Sequence, residues 1–213
     1  MTGRHLVAEK RKLLAAALPH VPFDGWGGGT LARAAKEAGL APSIVPRACP
    51  RGPIDLVEFW LQEADRTMVA ELAARNLKPM KIRERIATGV RVRLEQQTPH
   101  REAVRRALAL LAMPGYAPGG LGALYRTVDA IWHAAGDTAT DWNFYTKRLL
   151  LAGVYSSTLM FWLDDKSEGL AATWAFLDRR INDVMRIQKV RGRLDKLAEK
   201  LPDPFRLLRK RRA

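Results

Sequence analysis

The sequence predicts an all-α protein, and three observations carry that reading. Apolar residues recur every three or four positions along most of the chain. Ala, Leu, Arg and Glu fill those stretches, whereas alternating β-branched runs are few. Proline and glycine mostly fall between the periodic stretches, as at Pro19, Gly39, Pro79, Pro99 and Pro114.

Taken in order, the first helix is expected over residues 4–18, where Pro19 stops it. FDGWGGGT then leads to Thr30, a good N-cap for a helix over 31–38 that Gly39 ends. The glycines at 27–29 have no strand before them and no Gly-Lys-Ser/Thr after them, so they read as a flexible turn rather than a phosphate loop. Helices follow over 54–76, 80–97 and 101–112, and MPGYAPGG reads as a loop. The next helix begins at Leu121, with Leu124, Val128, Ile131 and Trp132 on its apolar face, and Gly136 to Thr140 reads as its stop and the start of another over 141–163. A helix over 167–191 presents Leu170, Trp174, Leu177, Ile181 and Val184. The organisation expected is an N-terminal helical subdomain over 1–76, a main helical domain over 77–189 and a basic tail over 190–213.

With 213 residues and 47% hydrophobic content, the chain can bury a sizeable core. Its formal charge of +14 implies attraction to an anionic partner without choosing among nucleic acid, acidic protein and anionic lipid. The position of the charge says more. From Arg186 onward there are eleven basic residues against three acidic ones, which is more than half of the excess. Val190, Leu194, Leu197 and Leu201 recur at helical spacing among these charges, and Phe205 and Leu208 follow near the cationic end. That is the pattern of a basic amphipathic helix on an anionic membrane, because phosphate binding alone needs no apolar stripe. The longest apolar run, 149–163, is interrupted by Ser156, Ser157 and Thr158 and falls short of the roughly 20 residues that span a bilayer. It reads as a buried helix. A single cysteine, Cys49, excludes an intramolecular disulfide. The N-terminus has a charged interior in place of a secretory apolar stretch.

Little points to catalysis, and no cofactor is expected. Asp129 and His133 stand four apart on one helix face, yet a metal site needs further ligands that no nearby motif supplies. Asp164 and Asp165 sit at a helix end, where capping explains them, and Cys49 lies between prolines without a local base. Gly153, Ser156 and Ser157 place small side chains inside an apolar helix, which serves either close helix approach or a cavity for a lipid chain.

Two stretches carry resemblances. FDGWGGGTLARAAKEAGLAPSIVPRA, from Phe23 to Ala48, resembles the helix-turn-helix of TetR-type regulators, but Pro46 and Pro50 interrupt the would-be reading helix. VDAIWHAAGDTATDWNFYTKR (Val128–Arg148), MPGYAPGGL (Met113–Leu121) and AATWAFLDRRINDVM (Ala171–Met185) resemble the coenzyme Q nine family of ubiquinone-biosynthesis accessory proteins. That resemblance implies a TetR-regulator-like helical bundle with a degenerate helix-turn-helix, a pocket for isoprenoid quinone intermediates and a membrane-binding C-terminal amphipathic helix. It implies a non-enzymatic role, as a homodimer that hands lipid to the demethoxyubiquinone hydroxylase. The implied docking patch maps onto Asp129, Ile131, Phe144, Tyr145 and Arg148, with Phe at 144 where family members carry Trp. The candidate pocket residues are Leu108, Leu111, Leu124, Val128, Leu149, Gly153, Ser156 and Met160, and the candidate membrane contacts are Leu194, Leu197, Leu201, Phe205 and Leu208. Because the chain starts almost directly with its first helix, without a transit peptide, the expected location is the cytoplasmic face of a bacterial inner membrane. The alternative is a TetR-type DNA-binding transcriptional regulator, which requires an intact reading helix; on the favoured reading no specific nucleic acid is bound.

Overall fold

The computed structural model describes the backbone of residues 2–137 and 142–198 and the side chains of 5–137 and 144–186. All regular structure among them is helical: α1 (Thr2–Ala17), α2 (Val21–Asp24), α3 (Gly28–Glu37), α4 (Ile44–Ala48), α5 (Pro53–Ala74), α6 (Ile82–Glu95), α7 (Arg101–Leu111), α8 (Ala117–Ala134), α9 (Trp142–Asp164) and α10 (Ala171–Ala198). Single 3-10 turns precede α7 and α10.

The N-terminal helices α1, α3 and α4 pack on one another, and α1 also meets α5. Helix α5 then packs on α6 and α8, α8 on α9, and α9 on α10, while α6 touches α8, α9 and α10. One contiguous apolar core runs from Leu13 of α1 to Leu177 of α10 and crosses the boundary expected at residue 76. The two halves are also pinned polar-to-backbone. The Trp26 indole donates to the Ala103 carbonyl at 3.1 Å, and the Arg106 guanidinium to the Pro22 carbonyl at 2.8 Å.

Local chemistry moves two helix starts from where the sequence puts them. Helix α3 begins at Gly28 with Gly27 as its cap, and Thr30 lies inside its first turn, where its hydroxyl donates to the Gly25 carbonyl at 2.8 Å. Helix α8 starts at Ala117, within the stretch read as a loop. Pro118 is tolerated in the first turn because its missing N–H would have no intrahelical acceptor there. Gly120 suits a close approach of α7 and α8, since a Cβ on it would stand a tight 3.3 Å from Leu111 Cβ.

Helix α4 is five residues long and contains Pro46, with Ile44, Ala48 and the adjacent Cys49 buried. The would-be reading helix is thus reduced to five residues, roughly 7–8 Å at about 1.5 Å per residue. At the other end, α10 continues unbroken to Ala198, so Leu194 and Leu197 fall on the same helix as the core-packing Leu177. Leu201, Phe205 and Leu208 lie outside the described residues.

Asp165 organises the turn into α10. It accepts from the Ser167 N–H at 2.8 Å, the Thr173 N–H at 2.9 Å and the Thr173 hydroxyl at 2.5 Å. Burial opposes its charge, but these hydrogen bonds outweigh it and hold the carboxyl well below the usual range. A depressed pKa contributes stability above the unfolded value and loses it as the native carboxylate takes up its proton. Asp165→Asn is therefore expected to lower the melting temperature at pH 7, with the difference from wild type shrinking below about pH 4; thermal melts by circular dichroism at pH 7 and pH 3 check both parts.

Candidate functional site

The α8 and α9 helices run side by side, and what their facing surfaces leave open is a cavity of about 380 Å³. Cavities that hold small ligands span roughly 300–1,000 Å³. Its wall is built by five helices: Trp60 and Leu61 of α5, Leu94 of α6, Val104, Ala107, Leu108 and Leu111 of α7, Gly120, Ala123 and Leu124 of α8, and Ser156 and Leu159 of α9 are among its residues. Small side chains at Ala107, Gly120 and Ala123 fall where α7 and α8 face each other, so helices in close contact at Gly120 leave space beyond it. Leu121, exposed, lies at the rim.

Of the pocket residues expected from sequence, Leu108, Leu111, Leu124 and Ser156 line this cavity. The other four do not. Val128 is buried in the core beyond it, while Leu149, 74% exposed, Gly153 and Met160 lie on the outer face of α9. The physical reason is the helix repeat. Leu151, Val154, Tyr155, Thr158 and Trp162 take the inward stripe, and Gly153 points to open space, with nothing within 4 Å of a Cβ placed on it. Because nearly every residue of 149–163 is apolar, hydropathy alone does not reveal that stripe. Missed altogether are the contributions of α5 and α6 and four polar liners, Arg93, Gln97, Thr127 and Tyr155. The small residues of α7 and α8 were the available signal.

The expected docking patch divides as well. Tyr145 is 65% exposed, and Phe144 and Asp129 are half-buried. Ile131, only 1% exposed, belongs to the core, with its Cγ2 where a Cβ on Gly89 would come within 2.8 Å. Arg148 is a buried clamp across the α8–α9 corner. Its side chain is 4% exposed, its Nε donates to Asp129 at 2.5 Å, and a terminal nitrogen reaches Asp137 at 3.4 Å and the Phe144 carbonyl at 3.2 Å. Its guanidinium also lies 3.3 Å from the Phe144 ring centroid. Lys147 joins the network at 2.7 Å from Asp137, and the Trp132 indole donates to the Lys147 carbonyl at 3.2 Å. Of the two positions found buried, Arg148 holds the corner together from inside and Ile131 packs in the core.

Other sequence candidates fare as follows. Asp129 is engaged by Arg148 rather than His133, and among the described residues no three of His, Cys, Asp and Glu come together as a metal site. Burial pushes the Cys49 thiol up to about 11, which leaves it protonated and a poor nucleophile near neutral pH. No described helix is long and apolar enough to cross a membrane.

Residues 117–188 match the COQ9 family model. The chain is 34% identical over 188 residues to the mitochondrial ubiquinone biosynthesis protein COQ9 of Drosophila melanogaster, an alignment covering 85% of this chain and 56% of that protein. It is 33% identical over 182 residues to the Homo sapiens protein of the same name, covering 83% and 57%. The chain thus spans somewhat more than half the length of these curated relatives. A TetR transcriptional regulator from Nitrosomonas europaea superposes with a TM-score of 0.65 at 20% identity, over 81% of this chain and 95% of that one, which shows the fold. The relatives also correct the expected location: they are named as mitochondrial proteins, and the placement on the cytoplasmic face of a bacterial inner membrane does not stand.

The clamp gives a stability test. Removing one partner of a buried ion pair costs about 3–5 kcal/mol, whereas changes at exposed positions stay within about 0.5 kcal/mol. Arg148→Ala is expected to fall in the first class and Tyr145→Ala in the second, as read by urea denaturation.

Proposed function

Because the chain belongs to the COQ9 family, we propose that it serves ubiquinone biosynthesis as a non-enzymatic carrier, holding an isoprenoid quinone intermediate and presenting it to the demethoxyubiquinone hydroxylase. The observation that carries this reading is the cavity of about 380 Å³, walled mainly by apolar side chains of five helices. An isoprenoid chain is flexible and wholly apolar, so burying it in such a space releases water from both surfaces. The short, proline-containing α4 argues against the rival reading of a DNA-binding regulator, and sequence-specific nucleic acid has no part in the proposal. The apolar stripe of Leu194, Leu197 and Leu201 within a strongly basic segment supplies a means of resting on an anionic membrane.

Partner docking falls to the N-terminal end of α9, where Tyr145 and Leu149 stand one turn apart on the exposed face, with Phe144 and Asp129 beside them. Arg148 serves that surface from beneath by fixing the corner that displays it. A second copy of the chain has other exposed apolar side chains to cover in a homodimer, Leu121 and Met160.

Filling the cavity tests the carrier role. Leu108→Trp places bulk in the wall and is expected to reduce uptake of a polyprenyl quinone at least tenfold, whereas Gly153→Trp, on the outer face, leaves it unchanged; mass spectrometry of lipid retained after incubation with the quinone gives the measure. The docking surface is tested separately. Tyr145→Ala is expected to weaken binding to the hydroxylase by about 2 kcal/mol with no change in melting temperature, since aromatic anchors concentrate interface energy; titration calorimetry with the purified hydroxylase reads it.

A further inference from the structure

Three polar residues of the cavity wall, Thr127, Arg93 and Tyr155, are gathered at one end. Thr127 is the liner farthest along α8 from Ala117, Arg93 is the first on α6, and Tyr155 is the first on α9. Asp65 of α5 ties this end together. It accepts from the Thr127 hydroxyl at 2.8 Å and from Arg93 Nε at 2.9 Å through the same oxygen. Arg93 is buried and Asp65 nearly so, and their charges offset each other.

Tyr155 is different, because its hydroxyl is unspent. The residue is more than nine-tenths buried and lines the cavity, yet the hydroxyl makes no hydrogen bond to any described residue. The Gln97 side chain, four residues on from Arg93 and just past the end of α6, is likewise buried, lines the cavity and has no such partner. Neither polar group is sealed off in the core; both are open to the cavity, where a ligand can supply the partner they lack. Burial raises the Tyr155 pKa despite the nearby Arg93, which keeps the phenol protonated and able to donate.

We propose that this end of the cavity is a head-group subsite for a neutral, oxygen-bearing ring, with a ring carbonyl accepting from the Tyr155 hydroxyl, the Gln97 amide as second partner, and the apolar tail running past Leu124 towards Leu121. The assignment rests on the carrier reading and deepens it by giving the bound lipid a direction, ring inward and tail towards the rim. The ion pair explains the preference for a neutral head. Arg93 already faces Asp65, so a fatty carboxylate would enter without an uncompensated cation to meet it.

The test uses the full chain and displacement of the neutral fluorophore N-phenyl-1-naphthylamine by three competitors: decylubiquinone, dodecylbenzene and palmitate. Wild type should prefer decylubiquinone to the other two. Tyr155→Phe, which removes one oxygen and keeps the ring, should raise the Kd for decylubiquinone about tenfold, as expected for the loss of one buried hydrogen bond. The dodecylbenzene value should stay within about twofold. Gln97→Leu should act in the same direction, which guards against a defect peculiar to the tyrosine site, and both variants should melt as wild type does. Equal losses for decylubiquinone and dodecylbenzene, or no loss in either variant, would overturn the subsite while leaving a lipid cavity in place. A preference for palmitate in the wild type would overturn the neutral head. Failure of the wild type to bind any of the three would remove the carrier reading itself, and the subsite with it.

Discussion

A buried ion pair between Arg93 and Asp65 sets the terms for everything around the cavity. Taking two charges out of water is expensive, and an apolar exchange of similar size is often no less stable. What the pair does supply is direction. Its bond lengths fix the spacing of α5 and α6, and Thr127 extends the same carboxylate to α8. Three helices are thereby held in register at one end, while small residues let α7 and α8 meet closely at Gly120. Between those constraints the walls are kept from collapsing onto each other, as an unconstrained set of leucines would tend to do.

The α8–α9 corner follows the same logic with the opposite outcome. There Arg148, Asp129, Asp137 and Lys147 satisfy one another, and the aromatic rings of Phe144 and Trp132 cover the cations. Among the described residues there, each of these four charges has a partner, whereas polar groups at the cavity end are partly unspent.

Helical class and element order were legible in the sequence because the three-and-four periodicity is local. Ends were less so. Pro118, Gly119 and Gly120 carry loop signals, yet the first turn tolerates proline, and the glycine serves a contact with Leu111 that lies outside the local window. The cavity was half visible. Leu108, Leu111, Leu124 and Ser156 were among the expected liners, but Tyr155 and Arg93 are 62 positions apart in the chain and only the packed bundle brings them together. Arg148 was misplaced for a related reason. It entered the docking patch through the family resemblance, which carries no information on burial, and its bond to Asp129, nineteen residues earlier, turns it inward.

Helix α10 carries a mechanical consequence. Its 28 residues run without a break from Ala171, past the core contact at Leu177, to Ala198, a rod of about 40 Å at 1.5 Å per residue. A continuous helix transmits torque. Whatever grips its far turns therefore sets the tilt and roll of the whole bundle, because no hinge within the described rod absorbs the rotation. The compass bearing of the cavity mouth relative to an attached surface is then written into the number of residues between Leu177 and the grip: adding one residue to the rod would swing the mouth by about 100°, the angular step of a 3.6-residue turn, with no atom of the cavity changed.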